Sequence, residues 1–310
     1  MPFSPVSLSY WDDRFNLMSH DHSHDNTGDL RLAFFLNLSF TIIEIAGGIW
    51  TNSLAILSDA IHDLGDSLSL GMAWYLETYA RKDKDKKYSY GYRRYSLLSA
   101  LINTIVLIVG SVFIISRAVT RLFNPEPVDA KGMILFAVLG IIVNGLAMLR
   151  LRGGKSLNAQ VVAWHLIEDV LGWVAVLIMS IVLLFTDLYI LDPIFSILIT
   201  SFVLYNVIKN LRKTLALFLQ AVPENMDLEM IENRLLAIDN VCSSHHTHIW
   251  SMDGEHHVLT THLVVEEATS QDEVLCIKED INQLSKEMDF LHTTVEIEYG
   301  DEKCSMAERS

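Results

Sequence analysis

The sequence predicts a membrane-embedded all-α bundle of six helices followed by a small cytosolic α+β domain. Three observations lead there. Of the 310 residues, 51% are apolar, and they gather in six blocks, each long enough for the roughly 20 residues a bilayer crossing needs. Residues 221–310 hold 20 Asp and Glu against 5 Lys and Arg, which is the whole of the chain's net charge of −15 and leaves residues 1–220 neutral. Within that acidic segment the apolar spacing alternates between helical and strand periods in the order α-β-β-α-β.

The apolar blocks run at 30–50, 54–79, 95–122, 130–149, 159–186 and 189–215. Several exceed the minimum length, which permits tilt or extension past the lipid. Positive charge orients them. The link between spans two and three carries Arg81, Lys82, Lys84, Lys86, Lys87, Arg93 and Arg94. Arg150, Arg152 and Lys155 lie between spans four and five, and Lys209, Arg212 and Lys213 close span six. The links after spans one and five have no Lys or Arg. Both termini are therefore expected in the cytosol, in a multi-pass protein of the cell (inner) membrane. Residues 1–28 are polar, with no apolar run behind a basic start, so a cleaved signal peptide is not expected.

In the acidic segment, Leu228, Ile231, Leu235 and Ile238 fall on one face of a helix over 227–239. Strands at 244–252 and 256–266 flank Asp253-Gly254, a hairpin signal. A helix over 271–287 and a strand over 292–299 follow. The expected division is a disordered tail at 1–28, a six-span domain at 29–218, a cytosolic domain at 219–302 and a short tail at 303–310. The acidic balance disfavours nucleic acid as a partner. Cys242, Cys276 and Cys304 form no CxxC pair, which argues against a disulfide framework and a Cys-rich zinc module.

Ionisable groups inside apolar spans are costly unless paired or hydrated. Span two contains Asp59, His62, Asp63 and Asp66; span five contains His165, Glu168 and Asp169. His62-x3-Asp66 and His165-x3-Asp169 share one spacing, which puts each pair on a single helix face. Two such helices facing each other would supply two imidazoles and two carboxylates, a donor set that suits tetrahedral zinc. Missing sulfur disfavours monovalent copper, and the missing all-oxygen cage disfavours magnesium and calcium. A single pair reads more readily as a helix-packing hydrogen bond or a His–Asp ion pair, but its recurrence in a second span favours metal. Asp63 lies a quarter-turn from His62 and reads as packing or pathway. Asn37, Glu44, Asn144 and Asp192 either line a wet passage or bond between helices. His20-Asp21-His22-Ser23-His24-Asp25 reads as loose metal binding or a polar tail, and Met18 before it is an alternative start.

The stretch from Ser53 to Asp66 (SLAILSDAIHDLGD), the stretch from Ala163 to Gly172 (AWHLIEDVLG) and Tyr90-Gly91-Tyr92-Arg93-Arg94 resemble the cation diffusion facilitator family. His245-His246-Thr247-His248-Ile249-Trp250-Ser251-Met252-Asp253-Gly254 is similar to that family's first cytosolic strand. The resemblance runs from about residue 29 to 300. It implies a homodimer in the lipid bilayer that exports divalent metal, zinc first and Cd2+ or Co2+ as alternatives, in exchange for protons. It implies a ferredoxin-like cytosolic domain that binds regulatory metal and holds the dimer. The His/Asp quartet resembles that of the zinc-preferring members.

By the same resemblance, His245, His262 and Glu298 occupy positions where relatives bind metal between protomers. His248, His256, His257, His292 and Cys304 are further candidates, and Glu296 stands where some relatives differ. The chain departs from members with a second site between spans two and three: residues 81–87 are RKDKDKK, without His, and read as a solvated basic loop near anionic lipid. Two tails of −15 repel when side by side, and bound cations relieve that repulsion. A membrane zinc hydrolase is the competing class, but it needs an open coordination position and a general base, and no HExxH is present. A non-transporting metal sensor leaves six spans and a midspan quartet unexplained.

Overall fold

The structure, a computed structural model, describes residues 27–80, 84–151, 157–300, 302 and 304. The tract at 20–25 with Met18, the loop residues Arg81, Lys82 and Asp83, Arg152, Lys155, and the 303–310 tail apart from Cys304 lie outside these residues. The chain forms two compact units. One takes residues up to Arg81 together with Ser99–Leu211; the other takes Lys82–Leu98 and Arg212 onward.

The first unit is built on six long helices: α1 (Thr27–Thr51), α2 (Leu54–Ala80), α3 (Tyr95–Phe123), α4 (Ala130–Leu151), α5 (Leu157–Phe185) and α6 (Leu191–Phe218). Five of them have the length and hydropathy to cross a membrane, over Ala33–Thr51, Tyr95–Phe123, Ala130–Arg150, Trp164–Phe185 and Leu191–Phe218. The sixth, α2, has 27 residues but offers no such stretch among the described residues, where Asp59, Asp63 and Asp66 interrupt its apolar sequence. Large apolar side chains such as Ile42, Val109, Phe113, Leu146 and Phe202 point outward, as on helices whose solvent is hydrocarbon rather than water.

Inside, Phe40, Ala55, Ile56, Met133, Ala137, Trp173, Val176 and Met179 form one buried cluster. Its centre is Trp173 on α5, whose indole lies directly over Gly140 of α4, where any Cβ would collide with the ring. A glycine here lets two helices close on the largest side chain of the core.

The N-terminus of α2 is fixed from another helix. Asp192, fully buried at the start of α6, accepts hydrogen bonds from Leu54 N at 2.8 Å, Ala55 N at 3.2 Å and Ser53 Oγ at 2.6 Å. Its charge is balanced by Arg121 of α3 at 3.8 Å. These are the orphan donors that a helix start leaves open. Asn37 of α1 likewise bonds across, donating to Asp63 O at 3.1 Å and Ser67 Oγ at 3.0 Å. Of the two readings open for Asn37 and Asp192, bonding between helices is the one the structure bears out.

The second unit contains α7 (Leu228–Leu236), β1 (Val241–Ser251), β2 (His257–Val265), α8 (Gln271–Glu287) and β3 (Phe290–Tyr299), the α-β-β-α-β order expected. The three strands lie in sequence order, with β1–β2 antiparallel and β2–β3 parallel. A parallel neighbour needs a crossover, and α8 is that connection. It starts in a capping box between Ser270 and Glu273. Ile231 and Leu235 of α7, Ile277, Ile281 and Leu284 of α8, and Leu259, Leu263 and Val265 of β2 close the core on one face of the sheet. Alternation along β2 and β3 then turns His262, Glu296 and Glu298 to the opposite face.

The β1–β2 turn forms at Asp253-Gly254 as the dipeptide predicts. Gly254 takes a φ of +104°, while Asp253 Oδ1 accepts from Glu255 N and His256 N. The α2–α3 loop is part of this unit. Asp85 organises it by accepting from Lys87 N, Tyr88 N and the Tyr92 hydroxyl; that last bond pushes the Tyr92 phenol up to about 12. Lys84, Lys86 and Lys87 are exposed, in keeping with a solvated basic loop. Its far end is anchored: Arg93 donates to the His256 ring at 2.8 Å and lies 3.7 Å from Asp253. Tyr90 meets the His292 ring edge-on.

Candidate metal centre

The two His-x3-Asp pairs come together. On α2, His62 and Asp66 are one turn apart, with Nε2 and Oδ2 at 3.9 Å; on α5, His165 and Asp169 repeat that relation at the same distance. Between the helices, His165 Nε2 bonds to Asp66 Oδ2 at 2.8 Å, and the His62 and His165 rings meet edge-on at 5.6 Å. His62, His165 and Asp169 each present a donor atom such that all three lie within 4.8 Å of one another. Asp66 joins them through His165. The His165–Asp66 bond brings together donors from both pairs across the two helices.

The other acidic residues of these helices differ in burial. Glu168 is exposed and Asp63 buried. Glu44 of α1 is nearly fully buried beside Asp59 and Asp63, with neither carboxylate oxygen in a well-formed hydrogen bond. Asn144 is buried with its amide nitrogen unpartnered.

A second cluster stands on the face of the sheet opposite α7 and α8. His245 and His262 are register partners on β1 and β2. His262 Nδ1 contacts Glu298 Oε1 at 2.7 Å, and His245 Nε2 lies 3.2 Å from Glu298 Oε2. Glu296 faces His262 Nε2 at 3.5 Å and is largely exposed. Cys304 closes the group, its Sγ 3.7 Å from His262 Nδ1. One donor each from His245, His262, Glu298 and Cys304 lie within 4.8 Å of one another. Burial pushes the Glu298 carboxyl up, yet hydrogen bonds from His262 and Cys304 and the nearby imidazoles hold it below the ordinary carboxylate range.

Of the further candidates, only Cys304 enters this group; His248 is exposed, His256 is engaged by Asp253 and Arg93, His257 is buried, and His292 is at Tyr90. Sequence reasoning misses His246. Neighbours in a regular strand point to opposite faces, but β1 slips register between His245 and His248, and His246 takes a φ of +49°. That bulge turns its ring to within 5.3 Å of both His245 and His262. No local sequence signal announces such a bulge.

Comparison with known proteins accounts for both units. The cation efflux transmembrane domain matches residues 30–219, and the cytoplasmic domain of cation efflux proteins matches residues 223–299. The chain is 34% identical over 282 residues to the metal cation efflux system protein CzcD of Cupriavidus metallidurans, covering 90% of this chain and 89% of that protein. It is 32% identical over 298 residues to the zinc transporter ZitB of Pectobacterium atrosepticum, covering 93% and 92%. It is also 33% identical over 289 residues to the cadmium, cobalt and zinc/H(+)-K(+) antiporter of Bacillus subtilis, covering 91% and 92%. These are integral membrane transporters, not enzymes. With both of the family's domains in place over nearly its full described length, the chain belongs to the cation diffusion facilitator family of metal efflux transporters.

Proposed function

We propose that this transporter exports zinc from the cytosol in exchange for protons, with the ion held by His62, Asp66, His165 and Asp169 between α2 and α5. The observation that carries the reading is the convergence of two identical His-x3-Asp pairs from helices about a hundred residues apart, joined by the 2.8 Å contact from His165 to Asp66. In this reading α2 is the sixth span, and Asp66 is tolerated within it because it pairs with His165 rather than facing lipid. Both termini are cytosolic and the working unit is a homodimer.

Two imidazoles and two carboxylates close a four-coordinate shell, which suits zinc and also admits cadmium and cobalt. The names of the relatives, which include zinc transporters and a cadmium, cobalt and zinc/H(+)-K(+) antiporter, support the same cargo. Metal requires neutral imidazole and ionised carboxylate, so loading releases protons and protons arriving from outside release metal. Helix movements that open the quartet to one side and then the other complete the cycle. The cytosolic cluster of His245, His262 and Glu298 serves as a regulatory metal site.

Selectivity tests the donor set. In sealed proteoliposomes zinc uptake should be competed by cadmium and cobalt and left unaffected by a large excess of magnesium or manganese. Equal competition by magnesium would contradict a nitrogen-containing shell.

A further inference from the structure

We propose that Cys304 is a thiolate ligand that completes, with His245, His262 and Glu298 of the same chain, a cytosolic site selective for thiophilic divalent cations. The proposal rests on reading this cluster as a metal site and adds what the resemblance does not give: a sulfur donor, and a donor set that one protomer supplies alone.

Geometry carries it. Metal–ligand bonds of about 2.0–2.3 Å in a tetrahedron set donor–donor edges of about 3.3–3.8 Å. The contacts here lie within or below that range: 3.7 Å from Cys304 Sγ to His262 Nδ1, 3.2 Å from His245 Nε2 to Glu298 Oε2, and 2.7 Å from His262 Nδ1 to Glu298 Oε1. All four residues offer donors within 4.8 Å of one another, so the shortest contact has only to open for the group to seat an ion.

The surroundings are built for it as well. His262 and Glu298 are 7% and 5% exposed, which is deep for a carboxylate on an open sheet face. With Nδ1 taken by metal, His262 keeps its proton on Nε2, and Glu296 stands at 3.5 Å from that nitrogen. A carboxylate behind a liganding imidazole fixes its tautomer and orientation. Cys304 reaches the site because the chain turns after β3, where Glu302 N donates to Tyr299 O at 2.8 Å and Tyr299 N donates to the Glu302 carboxylate at 3.0 Å.

The left-handed His246 brings a third imidazole to the rim, a conformation an ordinary strand residue avoids and that functional sites retain. On binding, the thiol proton passes to solvent and the sulfur electron pair goes to the metal. Two neutral imidazoles, one carboxylate and one thiolate leave a zinc site near neutrality. The sulfur separates this site chemically from the quartet in the helices, which has none.

That difference provides the test. Purified full-length protein is titrated with Co2+ and its near-ultraviolet thiolate-to-cobalt charge-transfer absorption recorded. The band should appear in the wild type and be lost in Cys304→Ser and His262→Ala. It should persist in Cys242→Ser, Cys276→Ser and Asp169→Ala, the last separating this site from the transport quartet. Independently of any variant's folding, saturating Zn2+ should slow alkylation of Cys304 in the wild type by roughly tenfold or more while leaving the exposed Cys242 and Cys276 reactive. A wild type that binds cobalt without the band, a band that survives Cys304→Ser, or unchanged alkylation of Cys304 under Zn2+ overturns the proposal. Loss of transport in Asp169→Ala with the band intact leaves it standing whatever the fate of the transport reading.

Discussion

Asp192 and Ser53, 139 residues apart, share a 2.6 Å hydrogen bond that locks the start of α2 to the start of α6. The same carboxylate accepts from the backbone of Leu54 and Ala55, so it caps a helix to which it does not belong. Since α2 carries His62 and Asp66, this cap sets the helix from which half the quartet projects.

Removing the cap has a defined cost. Asp192→Ala strands two buried backbone donors and should lower stability by about 2–3 kcal/mol. Ser53→Ala removes one hydroxyl and should cost about 1 kcal/mol. Thermal unfolding of the detergent-solubilised protein checks the order: Asp192→Ala melting no earlier than Ser53→Ala would contradict the capping role.

The approach of α4 and α5 depends on the missing side chain at Gly140. Gly140→Ala places a methyl group into the Trp173 ring, and because both helix backbones must separate, the expected loss is about 1–3 kcal/mol. Gly145, where an added Cβ meets nothing within 4 Å, is the control. Gly145→Ala should leave the melting midpoint unchanged or raise it. Equal effects from both substitutions would argue against this packing.

In the second unit, His257 is buried, and that burial holds its imidazole below the ordinary value of 6.5, against the opposing pull of Asp253. The folded form keeps it neutral, whereas the unfolded chain takes up a proton near 6.5. The unfolded state therefore binds more protons below that value, and stability falls as pH drops through it. Protection of the β2 amides in hydrogen exchange, corrected for intrinsic rates, should decrease between pH 7.5 and 5.5. His257→Gln should flatten that part of the slope; an unchanged profile would assign the pH dependence elsewhere.

Arg93 fastens the α2–α3 loop to the β1–β2 turn through His256 and Asp253. Arg93→Ala should free the loop, so that trypsin cuts after the exposed Lys84, Lys86 and Lys87 several-fold faster, since proteolysis follows the population of the opened segment. Unchanged cleavage would show that Asp85 and the tyrosines hold the loop without it.

Much of this was legible from local spacing. His62-x3-Asp66 and His165-x3-Asp169 announce their shared faces because a helix places i and i+4 together. Asp253-Gly254 announces the hairpin because a turn there needs a positive φ. Leu228, Ile231 and Leu235 announce the amphipathic face of α7, of which Ile231 and Leu235 are fully buried.

What escaped is non-local or depends on register. The pairing of Asp192 with α2 joins residues 139 apart in sequence. The slip between His245 and His248 depends on how β1 meets β2, and it alone brings His246 to the cluster. The same limit applies to Cys304, which is carried back to the sheet by a turn with no strong signature. The strand edges shifted too: β1 begins at Val241 rather than 244 and β3 at Phe290 rather than 292, because backbone pairing extends past the last alternating side chains.

The most direct measurement is zinc uptake into sealed proteoliposomes carrying a pH gradient, with wild type beside His62→Ala. Uptake that follows the gradient in the wild type and disappears in a folded His62→Ala protein is the predicted result. Undiminished, gradient-driven uptake in the variant would contradict the quartet as the transport site.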